Sequence, residues 1–193
     1  FSGVTNPSTT NIGWSGALDN NPPLNAPIQG SEATNSGYLN MLVSDNIDYS
    51  TTVSSTVGEY AYQSFRFRTQ TNPADMLSIN FYHEGRATEQ TFQFADNFTV
   101  YFYNYTAGDY DTIINTGDST TDVVANINLQ EGFADYFTGG YFYALVVGDH
   151  STGPGGDSRA DIHTDVLYLN ITSRDVISGI ENVTLNAVDE DLV

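Results

Sequence analysis

Asn97-Phe-Thr-Val-Tyr-Phe-Tyr-Asn-Tyr105, closed by the turn Thr106-Ala107-Gly108-Asp109, is the stretch whose reading decides the fold. Phe98, Val100 and Phe102 fall on one face at period two, and Thr99, Tyr101, Tyr103 and Tyr105 fall on the other. That alternation specifies a β-strand, and two apolar or aromatic faces place it inside a sheet that is covered on both sides. The stretch Tyr141-Phe-Tyr-Ala-Leu-Val-Val147, opened by Gly139-Gly140, has the same character and predicts a second central strand.

Shorter period-two segments flank these two. Strands are expected at 38–43, 48–53, 59–69, 76–83, 91–95, 110–114, 122–130, 161–172 and 176–187, with one helical turn over 131–137. Turn residues separate them, as in Asn72-Pro73-Ala74-Asp75 and Gly117-Asp118-Ser119. Strands at such regular spacing, without a long helical pattern, predict an all-β protein: an antiparallel β-sandwich of jelly-roll type. The composition agrees, with thirteen Tyr and eleven Phe, 39% hydrophobic residues and seventeen Gly for turns.

Residues 1–37 differ from the rest. They hold Pro7, Pro22, Pro23 and Pro27, four of the six prolines, and little periodicity. A segment of this kind builds no core of its own and must lie on its own sandwich or on a neighbouring copy. The expected division is an extended N-terminal segment at 1–37, able to act as an inter-subunit arm, and a sandwich at 38–193. Phe1, Val4, Ile12, Trp14 and Leu18 are its candidate interface anchors; Trp14 reads equally as a packed structural residue.

The formal net charge of −19 excludes some functions. All five basic residues are arginines, so the surface repels phosphate-bearing partners and excludes nucleic-acid binding. No apolar run is long enough to span a membrane as a helix. The absence of cysteine removes disulfides and thiolate metal sites. A first residue that is Phe rather than Met suits an exported chain that has lost a leader. Four sequons, at Asn97, Asn104, Asn170 and Asn182, point the same way, each being either a glycan acceptor or an ordinary turn or strand-edge residue. The expected location is extracellular or at the cell surface.

Catalytic signatures are missing. His83, His150 and His163 are isolated, and neither a nucleophile elbow nor a phosphate loop is present. A non-catalytic protein is expected. The loop 148–161 is rich in Gly and Asp. It is either a Ca²⁺ site, with Asp149, Asp157, Asp161 and Asp165 as carboxylate ligands, or a turn in which Arg159 pairs with one aspartate. Tyr101, Tyr103 and Tyr105, continued by Tyr141, Tyr143 and Tyr168, either hold sugar rings or lie under a covering layer; two apolar faces favour the covering layer.

The succession Tyr62-Gln-Ser-Phe-Arg-Phe-Arg68, Leu77-Ser-Ile-Asn-Phe-Tyr-His-Glu-Gly85, Phe98 to Tyr110, Gly140 to Gly148 and His163 to Thr172 resembles the galactose-binding-like, jelly-roll modules of secreted archaeal and bacterial surface proteins. The resemblance covers about residues 60–172. It implies an adhesive, glycan-contacting or structural role and assigns no functional residue. Two functions are therefore expected. The first is a structural subunit of an extracellular filament, sheath or surface layer, polymerising with copies of itself through the N-terminal segment. The alternative is a carbohydrate-binding module, Ca²⁺-assisted, that uses an aromatic face.

Overall fold

A computed structural model describes residues 10–18, 26–52, 60–89, 95–148, 160–174 and 184–186. Its strands are β1 (Ile12–Leu18), β2 (Ser31–Glu32), β3 (Tyr49–Thr51), β4 (Tyr60–Arg68), β5 (Met76–Glu89), β6 (Ala95–Asp96), β7 (Phe98–Asn104), β8 (Asp109–Asn115), β9 (Val123–Leu129), β10 (Tyr141–Gly148), β11 (Ala160–Arg174) and β12 (Thr184–Asn186). Two short helices, α1 (Asn35–Asn40) and α2 (Phe133–Tyr136), complete it. Sheet A runs β2-β1-β4-β10-β7-β8; sheet B runs β12-β11-β5-β6, with β3 also on β11 and β9 also on β5. Every pairing among the described strands is antiparallel, and the two sheets form the expected β-sandwich.

The organising stretch is β7, flanked by β10 and β8. Its turn closes tightly because the Asn104 side-chain oxygen accepts from the Thr106 and Ala107 amides, and Gly108 takes the left-handed conformation at φ 73°. The inward face carries Phe98, Val100 and Phe102 into the core between the sheets, beside Phe65, Phe142 and Val146. Phe81 of sheet B inserts there, edge-on to Phe102 at 5.3 Å between centroids.

The outward face of β7 meets a second core. Tyr101 and Tyr103 are 9% and 6% exposed and pack with Ile12, Trp14, Tyr62, Tyr110, Tyr143, Leu145 and Val147. Trp14 lies parallel to Tyr143, with 6.4 Å between centroids, and the Arg66 guanidinium sits over Trp14 and Tyr141. Residues 26–30 lie against this layer: the Ile28 amide donates to the Tyr110 hydroxyl at 3.1 Å.

Two expectations are corrected here. The boundary at residue 37 does not separate an arm from the sandwich, since β1 pairs with β4 from Ile12↔Arg66 to Leu18↔Tyr60. Ile12 and Trp14 are buried inside their own chain, and Leu18 packs at the margin of the same core. Phe1 and Val4 lie outside the described residues. The strand expected at 38–43 is instead the end of α1. Thr34 caps that helix by accepting from the Gly37 amide, and Tyr38 and Met41 are buried at helical rather than alternating spacing.

A polar line crosses the core. His83 Nε2 lies 2.8 Å from Thr164 Oγ1, which donates to Gln63 Oε1; the Gln63 amide donates to the Tyr49 carbonyl and Thr51 Oγ1. Because the Thr164 proton goes to Gln63, His83 must donate from Nε2, and its buried Nδ1 has no partner among the described residues. Burial pushes the His83 pKa down to about 3. The unfolded chain therefore takes up a proton near pH 6.5 that the folded chain refuses. Stability is fully present above that pH and falls as pH drops toward 3. Urea titrations between pH 7 and 5 should show this loss, about 1.4 kcal/mol per unit from one such group, with a shallower slope in His83→Gln. An unchanged slope would mean that His83 is not kept neutral.

Candidate functional site

The outer face of sheet A is buried, whereas among the described residues that of sheet B carries the exposed Asn126, Asn128, Tyr168 and Asn170. The outward positions of β9, β5 and β11 stand in register as Asn126, Tyr82 and Tyr168 in one row and Asn128, Asn80 and Asn170 in the next. The Tyr82 and Tyr168 rings stack at 4.7 Å between centroids, 4° from parallel. Asn80 Nδ2 donates to Asn126 Oδ1 at 2.6 Å. Tyr82 donates its hydroxyl proton to Glu84, whose other oxygen accepts from Ser44. Burial, then the Glu84 hydrogen bond and charge, raise the Tyr82 pKa. The platform thus combines ring surface with amides that both donate and accept.

Two residues beyond Glu84 on β5, Arg86 bridges Asp48 and Asp122 at 2.5 and 2.7 Å. His163 Nδ1 lies 2.9 Å from Ser50 Oγ and 3.4 Å from Asp48. A register shift in β11 between Thr164 and Val166 inserts Asp165, which accepts from the Asp45 and Asn46 amides. One carboxylate oxygen from each of Asp48, Asp122 and Asp165 falls within 4.8 Å of the others. Burial raises the Asp165 pKa, opposed by its two amide donors and reinforced by Asp122 and Asp48. Burial and Arg86 lower that of His163, against the pull of Asp48 and Asp122. Arg86 is itself held above its ordinary value by Asp122 and Asp48 despite burial.

Of the expected Ca²⁺ ligands, Asp165 is therefore grouped with Asp48 and Asp122, which the sequence did not single out; Asp161 lies on β11 outside that group. Asp149 and Asp157 fall outside the described residues. The donor set of three carboxylates suits a hard cation, but Arg86 already stands among them as counter-charge. The tyrosines divide as well. Tyr101, Tyr103 and Tyr143 are closed into the outer core of sheet A and offer no open ring face to a sugar, whereas Tyr105 and Tyr141 lie half-buried at its margin. Tyr168 lies on the other sheet.

A family profile described as "Uncharacterized protein, C-terminal domain" (AF_1625_C) matches residues 9–173. The chain belongs to that family. No curated protein matches it. Among solved structures, it is similar to the enzymatically active domain of bacteriophage CBA120 tailspike protein 4, with 8% identity and a TM-score of 0.39; 82% of this chain aligns with 19% of that one. The chain thus spans about a fifth of that domain's length. It is also similar to TmCBM61, solved with β-1,4-galactotriose, with 7% identity and a TM-score of 0.32 over 60% of this chain and 72% of the other. At these scores neither likeness adds to what the two sheets of this family member already display.

Arg86→Gln removes the counter-charge and leaves the largely buried Asp48 and Asp122 carboxylates together. Chemical denaturation should show a loss of about 3 kcal/mol, partly recovered on adding Ca²⁺ to the variant but not to the wild type. Equal Ca²⁺ stabilisation of both proteins would show that Arg86 does not occupy the cation's place.

Proposed function

We propose that this domain is a non-catalytic, carbohydrate-contacting module of an extracellular or cell-surface protein, and that its working surface is the outer face of sheet B. The observation that carries this reading is the uneven placement of exposed apolar side chains. Among the described residues, Val124 and Tyr168 lie on the outward face of sheet B and Leu77 at a register shift near the start of β5; Leu39, Val43 and Ile47 lie on α1 and the connection from it to β3. Sheet A contributes none of them.

The chemistry of the face selects the ligand class. A sugar ring presents C–H surface to aromatic side chains and hydroxyls to amides and carboxylates. Tyr82 and Tyr168 offer the former, and Asn80, Asn126, Asn128, Asn170 and Glu84 the latter. The strong negative charge disfavours acidic polysaccharides, so a neutral one is expected. High acidity and the sequons support an extracellular setting.

A second reading, the polymerising structural subunit, is favoured by one observation. Leu39, Val43 and Ile47 are 66%, 61% and 57% exposed within a single short stretch, an apolar strip suited to a second copy of the chain.

Unglycosylated protein should bind at least one neutral polysaccharide in calorimetric titrations, and Tyr168→Ala or Tyr82→Ala should weaken binding about tenfold, with folding retained. Failure to bind any member of a broad neutral panel overturns the first reading. Regular polymers in electron micrographs that vanish in Val43→Glu and Ile47→Glu would establish the second.

A further inference from the structure

We propose that Asn170 carries an N-linked glycan whose first sugar packs on the ring of Tyr168. The inference deepens the reading of this face as sugar-contacting and rests on it, with the sugar now supplied by the chain itself.

The three sequons among the described residues differ in what holds their amides. Asn104 donates from Nδ2 to Asp111 and accepts two backbone amides on Oδ1, so its side chain is fixed at both ends within the hairpin turn. Asn97 donates to Asp118 and accepts from Asn115. Asn170 is exposed, and its side chain makes no hydrogen bond among the described residues. Asn182 lies outside them.

Strand geometry then supplies the partner. Along β11, Leu169 and Ile171 pack toward the core, so Tyr168, Asn170 and Thr172 share the outward face. Tyr168 precedes Asn170 by two residues, a separation of about 6.6 Å along the strand. That is the reach of a sugar joined to the Asn170 amide. The stack with Tyr82 covers one side of the Tyr168 ring and fixes its plane, while Tyr168 stays 36% exposed. Beyond it no described strand pairs with β11 on that side between β3, at 162–164, and β12, at 172–174, although the Leu167 amide donates to the Met41 carbonyl. Asn170 also borders a cleft of about 210 Å³ that mixes Asn11, Arg68, Thr69 and Thr71 with the apolar Phe67, Leu169 and Ile171.

In the attachment step, Asn170 Nδ2 forms a bond to C1 of an oligosaccharide carried on a lipid phosphate. The C1–O bond to the carrier breaks, the phosphate leaves with the electron pair, and Nδ2 loses one proton. Thr172, the hydroxyl residue of the sequon, is partly exposed on the same face.

Glycopeptide mass spectrometry on protein from its own organism should find Asn170 modified; an unmodified Asn170 overturns the proposal. In that host, Asn170→Gln should melt about 2–4 °C below wild type, the shift that a modest packing gain gives in a chain of this size. The difference should disappear in a Tyr168→Ala background and persist in Tyr168→Phe. An equal difference in Tyr168→Ala would overturn the packing. The two proposals fail separately. Absence of binding by the unglycosylated protein counts against recognition of a free polysaccharide, whereas an unmodified Asn170 counts against the attached one.

Discussion

Sheet A is apolar on both faces, and neither can be left to water. Its inner face contributes Phe65, Phe98, Phe102 and Phe142, while its outer face contributes Tyr62, Tyr101, Tyr103, Tyr143 and Leu145. Each such side chain gains about 1.5–3 kcal/mol on full burial, so a second covering layer is a condition of the fold. The inner face is met by sheet B. On the outer face Trp14, from the neighbouring strand β1 of the same sheet, packs beside the tyrosines, Ile28 lies against them, and the Ile28 amide donates to the Tyr110 phenol. Arg66 sets its charge over the rings and its stem along them, which ends the apolar surface without leaving an isolated cation.

The asymmetry of the molecule follows from this. Residues 12–18 and Ile28 are committed to one side, and the described residues leave the other exposed. Strand β5 shows the consequence in its own alternation. Ile79, Phe81, His83 and Ala87 point inward, while Asn80, Tyr82, Glu84 and Arg86 point outward. The inward His83 is tolerated because Thr164 and Gln63 complete a hydrogen-bonded line between the sheets. The same line links β5, β11 and β4, tying the two sheets together by directional bonds as well as by packing.

The candidate surface was only partly legible in the chain. Tyr168 and Asp165 were visible as candidates, but with the wrong neighbours. Sequence proximity grouped Asp165 with the aspartates before it, whereas the inserted residue in β11 turns it toward Asp48 and Asp122, which enter ahead of β3 and β9. Likewise Tyr168 was grouped with Tyr101 and Tyr103 because all are tyrosines in alternating strands. Alternation tells which residues share a face of one strand; it does not tell which sheet that strand joins. Tyr82 carried a signal of its own, an aromatic at an outward position between Asn80 and Glu84.

By itself, the sequence determined the all-β class, the two doubly apolar strands and the hairpin turn at Thr106–Asp109. These depend on period-two patterning and local turn chemistry, both of which are properties of short stretches. Tertiary structure alone decided that residues 12–18 complete sheet A, that Tyr101 and Tyr103 are closed off, and that Tyr82, Tyr168 and Asn170 form one surface. Those outcomes depend on which strands pair and in what register, and pairing is chosen by burial summed over the whole sandwich rather than by any one segment. Even α1 obeys that rule. Tyr38 and Met41 reach the core only if the chain turns helical after Thr34, and the need to bury them overrode what looked like one more strand.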